Sequence, residues 1–119
     1  MAKLVLLQFD TDPQCASRSA ALAATGATIV VAEPRWPVFF DVVERERPDV
    51  IVIACGIIPQ HAREAARYLG DGFNTRDIPV ILVDVRPEDL AATKVSAPRA
   101  TIVQRNDLAA TVRSALSAA

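Results

Sequence analysis

A three-layer α/β sandwich, with a doubly wound parallel sheet between two layers of helix, is the fold this sequence predicts. Three observations carry the prediction. Strand-sized apolar runs alternate with helical stretches along the whole chain. The first, third and fourth of these runs lack polar alternation, which marks strands covered on both faces. The length, 119 residues, suits one domain of five βα units, for which strand order 2-1-3-4-5 is the common solution.

Each element has a local reason. Leu4–Leu7 is a continuous apolar run and reads as a buried strand. Asp10 or Thr11 then caps a helix, with Thr11 and Gln14 at capping-box spacing, and the alanine-rich stretch runs to about Thr25 before Gly26 stops it. Thr28–Ala32 is the second strand, and Pro34, Arg35, Trp36 and Pro37 form its turn. A short helix spans about Val38–Arg47 and ends at Pro48. Val50–Cys55 is the third strand, followed by a helix over Gln60–Leu69 and a stop at Gly70-Asp71-Gly72. Ile78–Val85 is the fourth strand, with Pro79 at its very start because proline lacks the ladder hydrogen. Pro87 opens a helical segment, Glu88–Lys94, whose carboxylates favour its N-terminus. Thr101–Val103 is a short fifth strand and Asp107–Ala118 the closing helix. No repeat or linker divides the chain, so one domain is expected over residues 1–119.

Composition narrows the function. The chain is 51% apolar, enough for a sizeable core. Thirteen basic and fourteen acidic residues leave a formal charge of −1, which argues against electrostatic capture of nucleic acid or an anionic membrane. No apolar stretch is long enough to span a bilayer, and the start MAKLVLLQFD is too short for a secretory core. The two cysteines, Cys15 and Cys55, have no metal-ligand spacing. They read as reduced, mostly buried thiols, and the cytoplasm is the expected compartment.

Ligands in such a sandwich bind beyond the C-terminal ends of the strands. The residues expected there are Gln8, Phe9, Asp10, Glu33, Ala54, Cys55, Asp84, Gln104 and Arg105. Asp10 and Asp84 could share a hard divalent cation. They read equally as a helix cap and a solvated loop charge, and no metal or cofactor is expected. Cys55 could act as a nucleophile with His61 as base, but no third group orients the pair. A dinucleotide site is excluded, because Gln8–Pro13 contains no glycine, and no P-loop pattern occurs.

Two stretches carry a resemblance. Pro48-Asp49-Val50-Ile51-Val52-Ile53 and Ile78-Pro79-Val80-Ile81-Leu82-Val83, in this element order, resemble a receiver domain of the bacterial response-regulator family, over Lys3 to about Ala118. The resemblance implies a flavodoxin-like receiver topology and a part in two-component signal transduction. It also implies a phosphoacceptor aspartate where this chain has Ala54, an acidic pair for magnesium where it has Gln8 and Phe9 with Asp10 just beyond, a hydroxyl where it has Asp84, and a lysine where it has Gln104. Alanine cannot form an acyl phosphate, and glutamine cannot pair with phosphate as a cation. The chain is therefore expected to be a degenerate form, a pseudo-receiver, that is not an enzyme and does not use conventional phosphorylation. If the strand end faces solvent, Ala54→Asp is expected to be tolerated without restoring it.

Protein contacts remain as the expected mode of action. The resemblance places a partner or dimer face over Glu88–Ala118, where Lys94, Arg99, Arg105 and Arg113 stand. Trp36 is a second candidate, since tryptophan is enriched in interface hot spots. The alternative is a small-ligand or metal site, or an enzyme, built on Asp10, Asp84 and Cys55. A crevice filled by side chains favours the interaction reading.

Overall fold

The structure, a computed structural model, describes residues 2–118, so the expected domain bounds at Met1 and Ala119 lie outside the described residues. The strands are β1 (Lys3–Leu7), β2 (Thr28–Ala32), β3 (Val50–Ala54), β4 (Val80–Val83) and β5 (Thr101–Val103). The helices are α1 (Cys15–Ala23), α2 (Val38–Glu46), α3 (Pro59–Asp71), α4 (Leu90–Ser96) and α5 (Leu108–Ala118). All strand pairs are parallel and the order is β2-β1-β3-β4-β5, as the sequence predicts.

The unbroken apolar runs are explained by the period of two along a strand. Leu4, Leu6, Val50, Val52, Ala54, Ile81 and Val83 pack on one face with Leu22 of α1 and with Leu108 and Val112 of α5. Val5, Leu7, Ile51, Ile53 and Leu82 pack on the other face against α2 and α3, through Phe39, Val43, Ala65 and Leu69. Every residue of β3 is buried. The edge strands β2 and β5 are only partly covered and expose Thr28, Val31 and Thr101.

Some boundaries move. α1 starts at Cys15 rather than at Asp10 or Thr11, because Phe9–Gln14 folds into successive turns, with amide hydrogen bonds from Asp12 to Phe9 O and from Cys15 to Asp12 O. Asp12, not Asp10 or Thr11, takes up a free amide there: its Oδ1 accepts from the Gln14 N–H at 2.9 Å. β4 is trimmed to Val80–Val83, since Asp84 turns into the left-handed region at φ 63°. The segment at Glu88 begins as a 3-10 turn, Pro87–Asp89, and only then becomes α4. α3 runs past Gly70 to Asp71, and the Thr75 hydroxyl caps it by donating to the Leu69 carbonyl at 2.6 Å. Ala54 does not face solvent. It is 6% exposed and belongs to the α1–α5 core, so the expected tolerance of Ala54→Asp is overturned.

Candidate functional site

At the C-terminal ends of β1 and β4 the sequence places polar residues, and the fold closes them around one arginine. Arg18 lies on α1, four residues before the buried Leu22, and therefore on the helix face that meets the sheet. It is fully buried. Its guanidinium is held on three sides. Nε donates to Asp84 Oδ2 at 2.7 Å, Nη1 donates to Gln8 Oε1 at 2.9 Å, and Nη2 donates to Asp12 Oδ2.

A second arginine closes the crevice from β5. Arg105 Nε and Nη2 donate to Asp84 Oδ1 at 3.2 and 3.0 Å, and Nη1 donates to Gln14 Oε1 at 2.6 Å. Asp84 thus gives one carboxylate oxygen to each arginine. Its left-handed backbone, which aspartate tolerates better than most residues, aims the carboxylate back between them. Two guanidinium and two carboxylate groups balance in charge.

Desolvation is the largest influence on both members of the deepest pair, and it opposes charge on each. For Asp12, burial would raise the carboxyl. The Gln14 amide and the Arg18 hydrogen bond, with the charges of Arg18 and Arg105, outweigh it and hold the carboxyl below its ordinary 3.8. For Arg18, burial would lower the guanidinium, and the Asp84 and Asp12 carboxylates outweigh it and raise it. A buried ion pair is tolerable when its hydrogen bonds are satisfied, as they are here. Gly56, just past β3, backs onto the pair: a Cβ there would lie 3.0 Å from Asp12 Oδ2 and 3.3 Å from Arg18 Nη2.

The expected site residues divide accordingly. Gln8 and Asp84 enter the network. Asp10 is exposed in the turn and is not brought into it. Phe9 is half-buried, edge-on to the His61 ring at 5.8 Å between centroids. Ala54 is buried in the core, and Gln104 is exposed beside Arg105. Glu33 pairs with Arg35 at 2.9 Å at the sheet edge. Cys55 is buried on the α3 side, where desolvation above all, with the nearby Asp84 charge, pushes its thiol up to about 12. It is a thiol, not a thiolate, at neutral pH, which corrects its candidacy as a nucleophile. Among the described residues, no group of three or more His, Cys, Asp or Glu side chains is placed to hold a metal ion.

Of the expected surface residues, Lys94 and Arg99 are exposed. Arg113 is exposed and donates to the Ala24 carbonyl at 3.1 Å. Arg105 is half-buried and engaged in the crevice. Trp36 is 56% exposed.

Sequence reasoning missed Arg18, Asp12, Gln14 and Gly56. Arg18 had a signal. Cys15, Arg18 and Leu22 fall at helical spacing on one face, so the core-facing stripe of α1 contains a cation that must find carboxylates.

Comparison with known proteins agrees with the architecture. No family model matches the chain, and no curated protein matches it. Solved structures do. The signal receiver domain of a signal transduction histidine kinase from Syntrophus aciditrophicus superposes with a TM-score of 0.79 at 20% identity, covering 99% of this chain and 92% of that one. The receiver domain of a sensor histidine kinase from Pseudomonas aeruginosa, with a magnesium ion coordinated in its active-site cleft, gives 0.72 at 18% identity, covering 98% and 99%. A solution structure of a response regulator protein from Burkholderia multivorans gives 0.62 at 19%, covering 96% and 94%. The chain has the flavodoxin-like fold of signal receiver domains.

Proposed function

We propose that the chain is a degenerate receiver module of a bacterial two-component pathway that acts through protein–protein contacts and does not cycle through an aspartyl phosphate. One observation carries the reading: the crevice that would take a metal ion and a phosphoryl group is occupied by the Arg18 guanidinium, bound to Asp12 and Asp84.

The residues present do not fit magnesium. That ion needs oxygen ligands in near-octahedral order. The two crevice carboxylates already spend their oxygens on Arg18, Arg105 and the Gln14 amide. A dication placed among them would meet two fixed guanidinium charges. The acceptor position is alanine and the position next to Gln8 is phenylalanine, which adds two further chemical losses. The small-ligand or enzyme reading is weaker on the same ground, because Asp84 is neutralised and Cys55 is held as a thiol.

The face formed by Glu88–Ala118 is the proposed contact surface for a partner protein or a second copy, with Lys94, Arg99 and Arg113 exposed on it. Arg105 connects that face to the crevice, since it reaches from the end of β5 to Asp84. No helix among the described residues is long and apolar enough to cross a membrane, and we place the module in the cytoplasm.

Incubation with magnesium and a small acyl phosphate donor, followed by intact mass measurement, tests the reading. The expected mass is that of the unmodified chain. A gain of one phosphoryl group that hydroxylamine removes, as it does an acyl phosphate, would overturn it.

A further inference from the structure

The α2–α3 face carries aromatic rings that the fold leaves in solvent. Trp36 is 56% exposed, Tyr68 47% and Phe73 81%. Trp36 stands 4.5 Å from Tyr68 and 5.4 Å from Phe40 between ring centroids, and Phe40 meets Tyr68 edge-on at 5.5 Å. These rings hold one another in place. A cleft of about 690 Å³ opens beside Phe40, Tyr68 and Phe73. Exposed, preordered aromatics lose little conformational freedom on contact and recur as binding hot spots.

The charge lining the cleft is lopsided. Glu44, Glu64 and Asp71 face one cation, Arg67, which lies 4.0 Å from Asp71. Glu44 and Glu64 make no ion pair or side-chain hydrogen bond among the described residues. The crevice carboxylates Asp12 and Asp84, by contrast, are paired with arginines. Open carboxylates beside ring faces favour a cation on both electrostatic and cation–π grounds. Phe73 already carries the Arg76 guanidinium, 5.3 Å from its ring centroid.

We propose that this face docks a basic amphipathic helix of a partner protein, with its apolar side on Phe40, Tyr68 and Phe73 and its lysines or arginines beside Glu44 and Glu64. The proposal rests on the reading of the chain as an interaction module and names the chemistry of one partner. A helix fits better than a small cation because the exposed rings continue to Trp36, outside this cleft, as a strip that a groove-bound helix covers. It fits better than a second copy because an isologous contact would set Glu44 and Glu64 near their own equivalents.

The test is an amide-shift titration of the full chain with a designed helical peptide bearing a leucine face flanked by lysines. A glutamate-flanked version is the control. The expected result is saturable shifts at Phe40, Tyr68 and Phe73 with the lysine peptide alone. The double variant Glu44→Lys/Glu64→Lys should lose them and respond to the glutamate peptide instead. Tyr68→Ala should weaken binding about tenfold or more. Three results would overturn the proposal: no saturable shifts on this face, binding unchanged by the charge reversal, or equal shifts with tetramethylammonium alone. Concentration-dependent shifts on this face without peptide would assign it to self-association and overturn it too. Adding magnesium and beryllofluoride to the same sample separates this from the wider reading. Crevice shifts at Gln8 and Asp84 would count against the degenerate receiver, whatever the peptide does.

Discussion

Arg18 is the residue around which the crevice closes. It is fully buried with two carboxylates and an amide oxygen on its guanidinium. Removing one member of a buried pair leaves the other uncompensated. Arg18→Met keeps most of the volume but strands Asp12, and is expected to cost roughly 3–5 kcal/mol in urea unfolding. Combining it with Asp12→Asn should recover part of that loss, because the two changes share one interaction. The same pair gives a pH signature. Asp12 titrates below its ordinary 3.8 in the folded chain, so its contribution is complete above that value and is lost as pH falls through the lower, folded value. The stability gap between wild type and Asp12→Asn should therefore shrink as pH falls below 3.8 and be flat above pH 6, about two units clear of it. Gly56→Ala offers a steric test. Its Cβ would press on an Asp12 side chain that the salt bridge prevents from moving, and a loss of about 1–3 kcal/mol is expected.

At the scale of elements, the inner strands were legible because their burial on both faces writes itself as unbroken apolar runs. β1 and β3 were located within a residue. The helix starts were less so, because polar residues before a helix serve two masters. The stretch Asp10–Gln14 was read as a helix start, yet Asp12 both takes the Gln14 amide and binds Arg18 in a turn that precedes α1 at Cys15. The α2–α3 layer shows how burial separates structural from surface aromatics. Phe39 is 3% exposed and packs on the sheet, so Phe39→Ala should cost about 3–5 kcal/mol. Trp36 is 56% exposed, so Trp36→Ala should cost only about 1 kcal/mol or less. Equilibrium unfolding of the two variants side by side checks the contrast.

At the scale of the whole molecule, the crevice of the sandwich is filled by the chain's own side chains. The residues on which the proposed loss of phosphorylation rests, Ala54, Phe9 and Gln104, were legible. The replacement was not, because it needed contacts between Arg18 and Asp84, 66 positions apart, and between Arg105 and Gln14, 91 positions apart. Ala54→Asp would bury a carboxylate in the α1–α5 core, so it should destabilise the chain and still take up no phosphate. In the proposed function the chain's own arginine stands in for the ions of a working crevice. The most direct measurement follows the Arg18 side-chain Nε–H and the Gln8 and Asp84 amides while magnesium and beryllofluoride are added to the wild-type protein. This replacement predicts no saturable shift in any of them. Saturable shifts in all three, with the Arg18 Nε–H losing its protection from solvent exchange, would show that the guanidinium gives way to the ions and would contradict it.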